Sequence, residues 1–227
     1  MSFQDRLENY LFDMGVTDVG FANIHDGDFG DLTGAVSLVI KLSDAIVDEI
    51  DLSGPTHTYF THYRAVNAFI DSALLKAGLF LEKKGYRYIH VAASQSINKG
   101  GRTYSGRYSH KKVACLAGLG TIGKNGLFLH HAHGPRVRLG TLFTDYPFDL
   151  KAKKEIEENF CADCNLCVKA CPAHAISGRA WDPLQPEKAI IDPAKCSQHM
   201  KTAYKMIGRG AVCGICISVC PFKDRFC

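Results

Sequence analysis

Apolar and polar positions along the chain keep first a helical and then an alternating period, and the change falls where turn residues cluster. Leu7, Tyr10, Leu11 and Met14 share one face of a predicted helix, with Ser2 and Asp5 capping its start and Gly15 as its stop. A short strand is predicted over 18–23. Residues 35–41 are β-rich and mostly apolar, as a strand buried on both faces is. A short helix over 45–50 precedes the turn residues Ser53, Gly54 and Pro55. Beyond them Tyr59, Tyr63, Val66, Ile70, Leu74 and Leu81 hold near-helical spacing until Gly85. Residues 88–92 read as the next strand.

Residues 93–108 have no period and read as a long loop, a type of segment that is often functional. Ser109 caps a predicted short helix through Ala117. Two strands over 127–131 and 137–144 are expected to be joined across 132–135, the second alternating Val137, Leu139, Thr141 and Phe143. Strand and helix patterns thus alternate to about Phe148, which predicts an α/β (α+β) fold with one mixed sheet. Lys151, Lys153, Lys154, Glu155, Glu157 and Glu158 then mark a solvated helix or linker. The expected organisation is an N-terminal domain over 1–150 that holds a ligand, and a C-terminal cysteine module over 151–227.

That module carries the chemistry. Cys161, Cys164, Cys167 and Cys171-Pro172 have the C-x2-C-x2-C-x3-C-P spacing of a bacterial [4Fe-4S] ligand run. Cys213, Cys216 and Cys220-Pro221 repeat its last part, and Cys196 stands between them, making enough thiolates for two cubanes in a ferredoxin-like module. Thiolates at two-residue gaps on a tight loop converge on one cube, whereas the three-residue gap and the proline send the fourth to the other cluster. Cys161, Cys164, Cys167 and Cys220 are therefore assigned to one cluster, and Cys171, Cys196, Cys213 and Cys216 to the second. On spacing alone, an exchange of Cys196 with another member stays open. Paired C-x-x-C units also suit structural zinc, but three close thiolates followed twice by Cys-Pro favour clusters. No C-x3-C-x2-C occurs, which disfavours radical SAM chemistry.

Composition narrows this further. The 227 residues suffice for a globular domain plus a cluster module, and a 46% hydrophobic content supports a real core. No apolar run approaches the roughly 18 residues that suggest a membrane span. The first ten residues lack an apolar signal core, so a reducing cytoplasmic location is expected, which also disfavours disulfides. Net charge is only +4, yet no Asp or Glu occurs from Lys83 through Thr144, while Lys99, Arg102, Arg107, Lys111, Lys112, Lys124, Arg136 and Arg138 all do. An anionic ligand is expected there.

Gly118, Gly120 and Gly123 match G-x-G-x-x-G, but a helical segment precedes them and Lys124-Asn125-Gly126 breaks the helix that a dinucleotide site needs. The glycines still imply that backbone approaches something closely. His130, His131 and His133 are read as a surface turn rather than a metal site. Cys115 is read as a small buried residue, and Cys227 has no assigned role.

The run from Ser109 through Ala117-Gly-Leu-Gly-Thr-Ile-Gly-Lys-Asn125, the run Gly134-Pro-Arg-Val-Arg-Leu-Gly-Thr-Leu-Phe-Thr-Asp145 and the double cysteine module together resemble epoxyqueuosine reductase and its shorter double-cluster relatives. The resemblance covers roughly residues 85 to 222. It implies a cobalamin-binding α/β domain, distantly similar to that of reductive dehalogenases, beside two clusters that reduce the cobalt. It places Gly118, Gly120, Gly123, Lys124 and Asn125 at the corrinoid. No D-x-H-x-x-G signature for a histidine ligand to cobalt occurs. The family's catalytic Asp falls near Tyr104, where this chain has no carboxylate, so Tyr104, Tyr108 or His110 is the expected proton donor, a phenol beside Arg107 or Lys111 being acidified. Epoxyqueuosine reductases also run on past the cluster module, so a tRNA-binding surface is expected to be missing here.

The reading is an iron–sulfur oxidoreductase in which electrons from a donor such as ferredoxin or flavodoxin pass through two clusters to cobalamin or to a small-molecule or tRNA-borne substrate. The alternatives are a non-catalytic electron-transfer protein and, from the basic tract alone, an RNA-binding protein.

Overall fold

Ser2 Oγ accepts from the amide of Asp5 at 3.0 Å and Asp5 Oδ2 accepts from that of Ser2 at 2.9 Å, so two amides that a helix start leaves open are satisfied. The resulting helix, α1 (Phe3–Asp13), buries Leu7 and Leu11 completely. The computed structural model describes residues 1–97, 103–150, 161–182 and 189–222. Along them α1 is followed by β1 (Asp18–Asn23), β2 (Gly34–Lys41), α2 (Asp44–Asp48), α3 (His57–Glu82), β3 (Tyr88–Val91), α4 (His110–Leu116), β4 (Gly120–Ile122), β5 (Phe128–His130), β6 (Val137–Thr144), α5 (Leu166–Ala170), α6 (Pro193–Ala203) and α7 (Ile215–Ser218). Each helix and strand expected up to residue 144 is present, with ends shifted by a few residues, and β4 is added.

Four strands form a sheet in the order β1-β2-β6-β3, whose outer pairs are antiparallel, with Asp18 opposite Val39 and Val91 opposite Thr141. All of β2 except Lys41 is buried, as its unbroken apolar run requires. Helix α1 packs on β1, and α4 on β1 and β2. Ala22, Ile24, Leu32, Ala35, Val91, Val113 and Phe143 form a core cluster.

The strands expected over 127–131 and 137–144 do not pair with each other, and the described residues form two sheets instead of one. Residues His130 and Gly134 exchange both backbone hydrogen bonds at 2.9 Å, which folds the connection back on itself. Strand β5 pairs with β4 in a two-stranded sheet, Gly120 opposite His130, while β6 joins the larger one.

The chain divides into two compact units, each assembled from three stretches. One contains Met1–Lys41, Val66–Leu119 and Arg138–Ile156; the other contains Leu42–Ala65, Gly120–Val137 and Glu157–Cys227. The helix or linker expected over 151–158, and with it the boundary at 150/151, lies outside the described residues.

The second unit contains a fully buried Arg136. Its Nη1 donates to Asp44 Oδ1 at 3.1 Å and its Nη2 to Asp48 Oδ1 at 2.6 Å, both acids lying on α2. The two carboxylates are 35% and 50% exposed, so water can take over from a lost arginine, whereas nothing can replace the acids around the guanidinium. Its Nε has no partner among the described residues, so the arginine already carries a cost. Asp44→Asn combined with Asp48→Asn should therefore cost about 3–5 kcal/mol, and Arg136→Met distinctly less. Urea midpoints followed by circular dichroism measure both.

Candidate iron–sulfur centre

Cys161 and Cys164 sit on a turn closed by the amide of Cys164 donating to Cys161 O at 2.7 Å, and α5 then carries Cys167 on its first turn. Cys171 leaves that helix in an extended conformation, φ −70° and ψ 108°, as a residue before proline prefers. Its side chain thereby departs from the group that precedes it. Cys196 lies in the first turn of α6, whose start is fixed by Pro193 and by Asp192 Oδ1 accepting from the amides of Ala194 and Lys195 at 3.0 Å. Cys213 precedes α7, which carries Cys216, and Cys220 follows it before a second proline.

The mutual influence of these thiols divides them into two sets. Burial pushes Cys220 up to about 11, and nearby Cys161, Cys167 and Cys164 push it the same way, against a hydrogen bond from the Phe222 backbone. Cys167 is raised by burial and then by Cys161 and Cys164. Burial also raises Cys196 and Cys213, with Cys171 acting on Cys196, and Cys196 and Cys171 acting on Cys213. Cys216, the most deeply buried, is raised by burial and then by Cys213, Cys196, Cys167 and Cys171. Among the raised thiols, Cys167 acting on Cys216 links the two groups. The described cysteines are free thiols. Thiols grouped in this way are a donor set for a cation, and iron–sulfur clusters supply one.

The glycine segment closes on protein. A Cβ on Gly120 would lie 2.0 Å from Leu129 O, and one on Gly123 would lie 2.8 Å from Leu129 Cδ1, so what approaches these glycines is β5. Gly118 follows α4 with φ +78°, and a strand rather than a helix comes next, so the dinucleotide motif is absent. Lys124 and Asn125 are buried. Lys124 Nζ donates to Ala162 O, Cys164 O and Asn165 Oδ1, and Asn125 Nδ2 donates to Cys216 O at 3.3 Å. Their side chains thus hold the cysteine loops. The Lys124 amide likewise points at Cys161 Sγ, so the side chains of Lys124 and Asn125 and this amide are committed to the cysteine loops.

The three expected proton donors differ in their surroundings. Tyr104 is 46% exposed, at φ +63°. Tyr108 packs on Phe29 and Phe143, and its hydroxyl donates to Asp26 Oδ2, which also accepts from Lys112 Nζ at 2.7 Å. Lys112 and then Tyr108 hold the Asp26 carboxyl down at about 2. The phenol is not acidified as expected: burial and the bond to Asp26 push it up, and Lys112 only partly opposes them. His110 Nε2 bonds Ala92 O at 3.0 Å and must be the protonated nitrogen, because a carbonyl only accepts; Nδ1 then accepts from Thr141 at 2.8 Å. Burial lowers its pKa, so it is a neutral structural histidine. Burial raises the Cys115 thiol to about 11, although the residue is half-buried rather than buried.

Much of the basic tract is balanced from elsewhere in the chain. Arg87 pairs with Asp31 and Asp145, Lys112 with Asp26, and Arg136 with Asp44 and Asp48. Arg107 lies over the Phe29 ring and donates to Asp28 O. Lys99 and Arg102 lie outside the described residues. Sequence reasoning missed Asp26, Asp44 and Asp48 because no local spacing connects them to their partners. His130, His131 and His133 cluster at the turn after β5, with ring centroids 4.2 and 5.1 Å apart and His130 buried.

Residues 160–223 match the family described as a 4Fe-4S double cluster binding domain. A tetrachloroethene reductive dehalogenase of Desulfitobacterium hafniense is 37% identical over 163 residues, which is 65% of this chain and 26% of that protein. An epoxyqueuosine reductase of Vibrio cholerae is 27% identical over 193 residues, 78% of this chain and 45% of that one. This chain is a relative of both. Among solved structures, an epoxyqueuosine reductase with a modified tRNA-Tyr stem loop superposes with a TM-score of 0.64 and 19% identity over 97% of this chain and 66% of that one. A reductive dehalogenase whose structure concerns B12-dependent dehalogenation gives 0.74 and 17%, over 97% and 31%. At these identities the structures share the fold. The chain spans less than half of the length of the two curated reductases. Among the described residues, no helix is long and apolar enough to cross a membrane.

The Asp26 contact can be tested directly. Asp26→Asn should lower the pH at which Tyr108 ionises, because the carboxylate disfavours a neighbouring phenolate. NMR of ring-labelled tyrosine measures this, with Tyr108→Phe identifying the signal.

Proposed function

We propose that this protein is an iron–sulfur reductase of the epoxyqueuosine reductase type. Cys161, Cys164, Cys167 and Cys220 hold one [4Fe-4S] cluster, and Cys171, Cys196, Cys213 and Cys216 hold the other. The observation that carries this reading is the cysteine spacing on α5, α6 and α7 and the loops beside them, within residues that match a 4Fe-4S double cluster binding domain. Electrons arrive from a low-potential donor of the ferredoxin or flavodoxin class and leave toward a small organic or tRNA-borne substrate. Free thiols suit a reducing cytoplasm.

The proposed further cofactor is cobalamin, on the strength of the dehalogenase and epoxyqueuosine reductase relatives. When bound, it supplies a reducible cobalt centre. Gly118, Gly120, Gly123, Lys124 and Asn125 are the residues proposed to lie beside it. Proton delivery falls to Tyr104, which is exposed, or to Tyr108 in its contact with Asp26 and Lys112. A second reading, a non-catalytic electron-transfer protein, is favoured by Tyr108 being held protonated and by the absence of a carboxylate from residue 83 through 144.

Anaerobically reconstituted protein should hold about eight irons, four for each cubane, and show two EPR-active clusters on reduction. Cys220→Ser should damage the cluster built on Cys161, Cys164 and Cys167 alone; loss of only the other cluster refutes the pairing. Titration with cob(II)alamin, followed by EPR, separates the two functions. Stoichiometric binding with loss of the axial nitrogen splitting supports the reductase, and no binding leaves the electron carrier.

A further inference from the structure

Lys124 is an unusual neighbour for a cysteine loop. Its side chain is 8% exposed, and Nζ lies 2.7 Å from Ala162 O, 3.2 Å from Cys164 O and 3.4 Å from Asn165 Oδ1. Three oxygen acceptors around one nitrogen match the three donors of an ammonium group. None of them is a carboxylate. The carbonyls satisfy the hydrogen bonds without cancelling the charge, no carboxylate pairs with it among the described residues, and a buried cation without a counter-charge is costly. The same residue directs its backbone amide at Cys161 Sγ, 3.4 Å away. Both contacts fall on the loop that carries Cys161 and Cys164, so the missing negative charge is that of a thiolate-ligated cluster.

The second set is treated differently. The next residue, Asn125, reaches Cys216 O through a neutral amide. Each set accepts an amide–sulfur hydrogen bond at 3.4 Å, Cys161 from Lys124 and Cys171 from Ala175, so what this dipeptide gives the two sets differently is an ammonium on one side and a neutral amide on the other.

Net charge, hydrogen bonds to the sulfurs and solvent exposure set the potential of an iron–sulfur cluster. A nearby cation and an N–H···S bond both favour the more negative, reduced state, and so raise it. We propose that Lys124 is a positioning residue that sets the cluster of Cys161, Cys164, Cys167 and Cys220 above its neighbour in potential, giving the pair a direction. One electron leaves the cluster of Cys171, Cys196, Cys213 and Cys216 and one arrives at the other. No bond forms or breaks, and the low-potential donor re-reduces the first carrier.

The inference rests on the two-cluster reading, and a potentiometric EPR titration of the loaded protein separates the two. Iron content and the presence of two signals test the cluster reading. With both signals present, the native protein should give two midpoints, and the higher one should belong to the signal that Cys161→Ser alters. Lys124→Met should lower that midpoint by about 59 mV, a tenfold change for a one-electron couple, with the other midpoint unmoved and Lys124→Arg close to native. A clamp with no electrical role would change iron occupancy and leave the midpoints in place. Unchanged midpoints in loaded Lys124→Met, or equal shifts in both, overturn the proposal. If Lys124→Met does not load the cluster, the native protein decides: a higher midpoint that survives Cys161→Ser also overturns it.

Discussion

Burial and neighbouring thiols raise several of the cysteines here, so they resist becoming thiolates, while a ligand set for iron must become thiolate. That conflict is present in both cysteine sets, where Cys220, Cys167, Cys196, Cys213 and Cys216 are all raised. The surrounding structure holds the groups together against it. Pro172 and Pro221 turn the chain after Cys171 and Cys220, Asp192 and Pro193 fix the start of the helix that carries Cys196, and Lys124 and Asn125 grip the loops from the side. Helix α7, which presents Cys216, packs on α2, whose two acids hold the buried Arg136.

Charge in the rest of the molecule follows the same economy of internal partners. The long tract without acids looks in isolation like a surface for an anion. Folded, Arg87, Lys112 and Arg136 meet carboxylates from residues 26 to 48 and 145, and Lys124 meets carbonyls. The demand for an external phosphate is correspondingly smaller. Asp26 bears most directly on chemistry, since it brings a carboxylate to Tyr108 from 82 residues away, in a chain whose own segment around Tyr104 has none.

Features set by residues within a turn or two of one another were readable from the order of amino acids. The Ser2 cap, the apolar stripe of α1, the buried run of β2, the cap of α4 and the cysteine spacing are of that kind, because helix and strand periods and chelate geometry depend on near neighbours. The glycines of the Gly118 to Gly123 segment were correctly read as close approach. What approaches Gly120 and Gly123 was not readable, and it is strand β5.

By itself, then, the sequence determined where the helices and most strands lie and which thiols are available to iron. Only the tertiary structure decided that residues 42–65 and 120–137 join the cysteine region in one unit, that β5 pairs with β4, and that Lys124 and Asn125 turn to the cysteine loops. The reason is distance along the chain. Lys124 and Ala162 are 38 residues apart and Asn125 and Cys216 are 91, and no local propensity encodes such a contact. It is selected when the whole chain packs and a buried ammonium or amide must find its acceptors or remain unsatisfied.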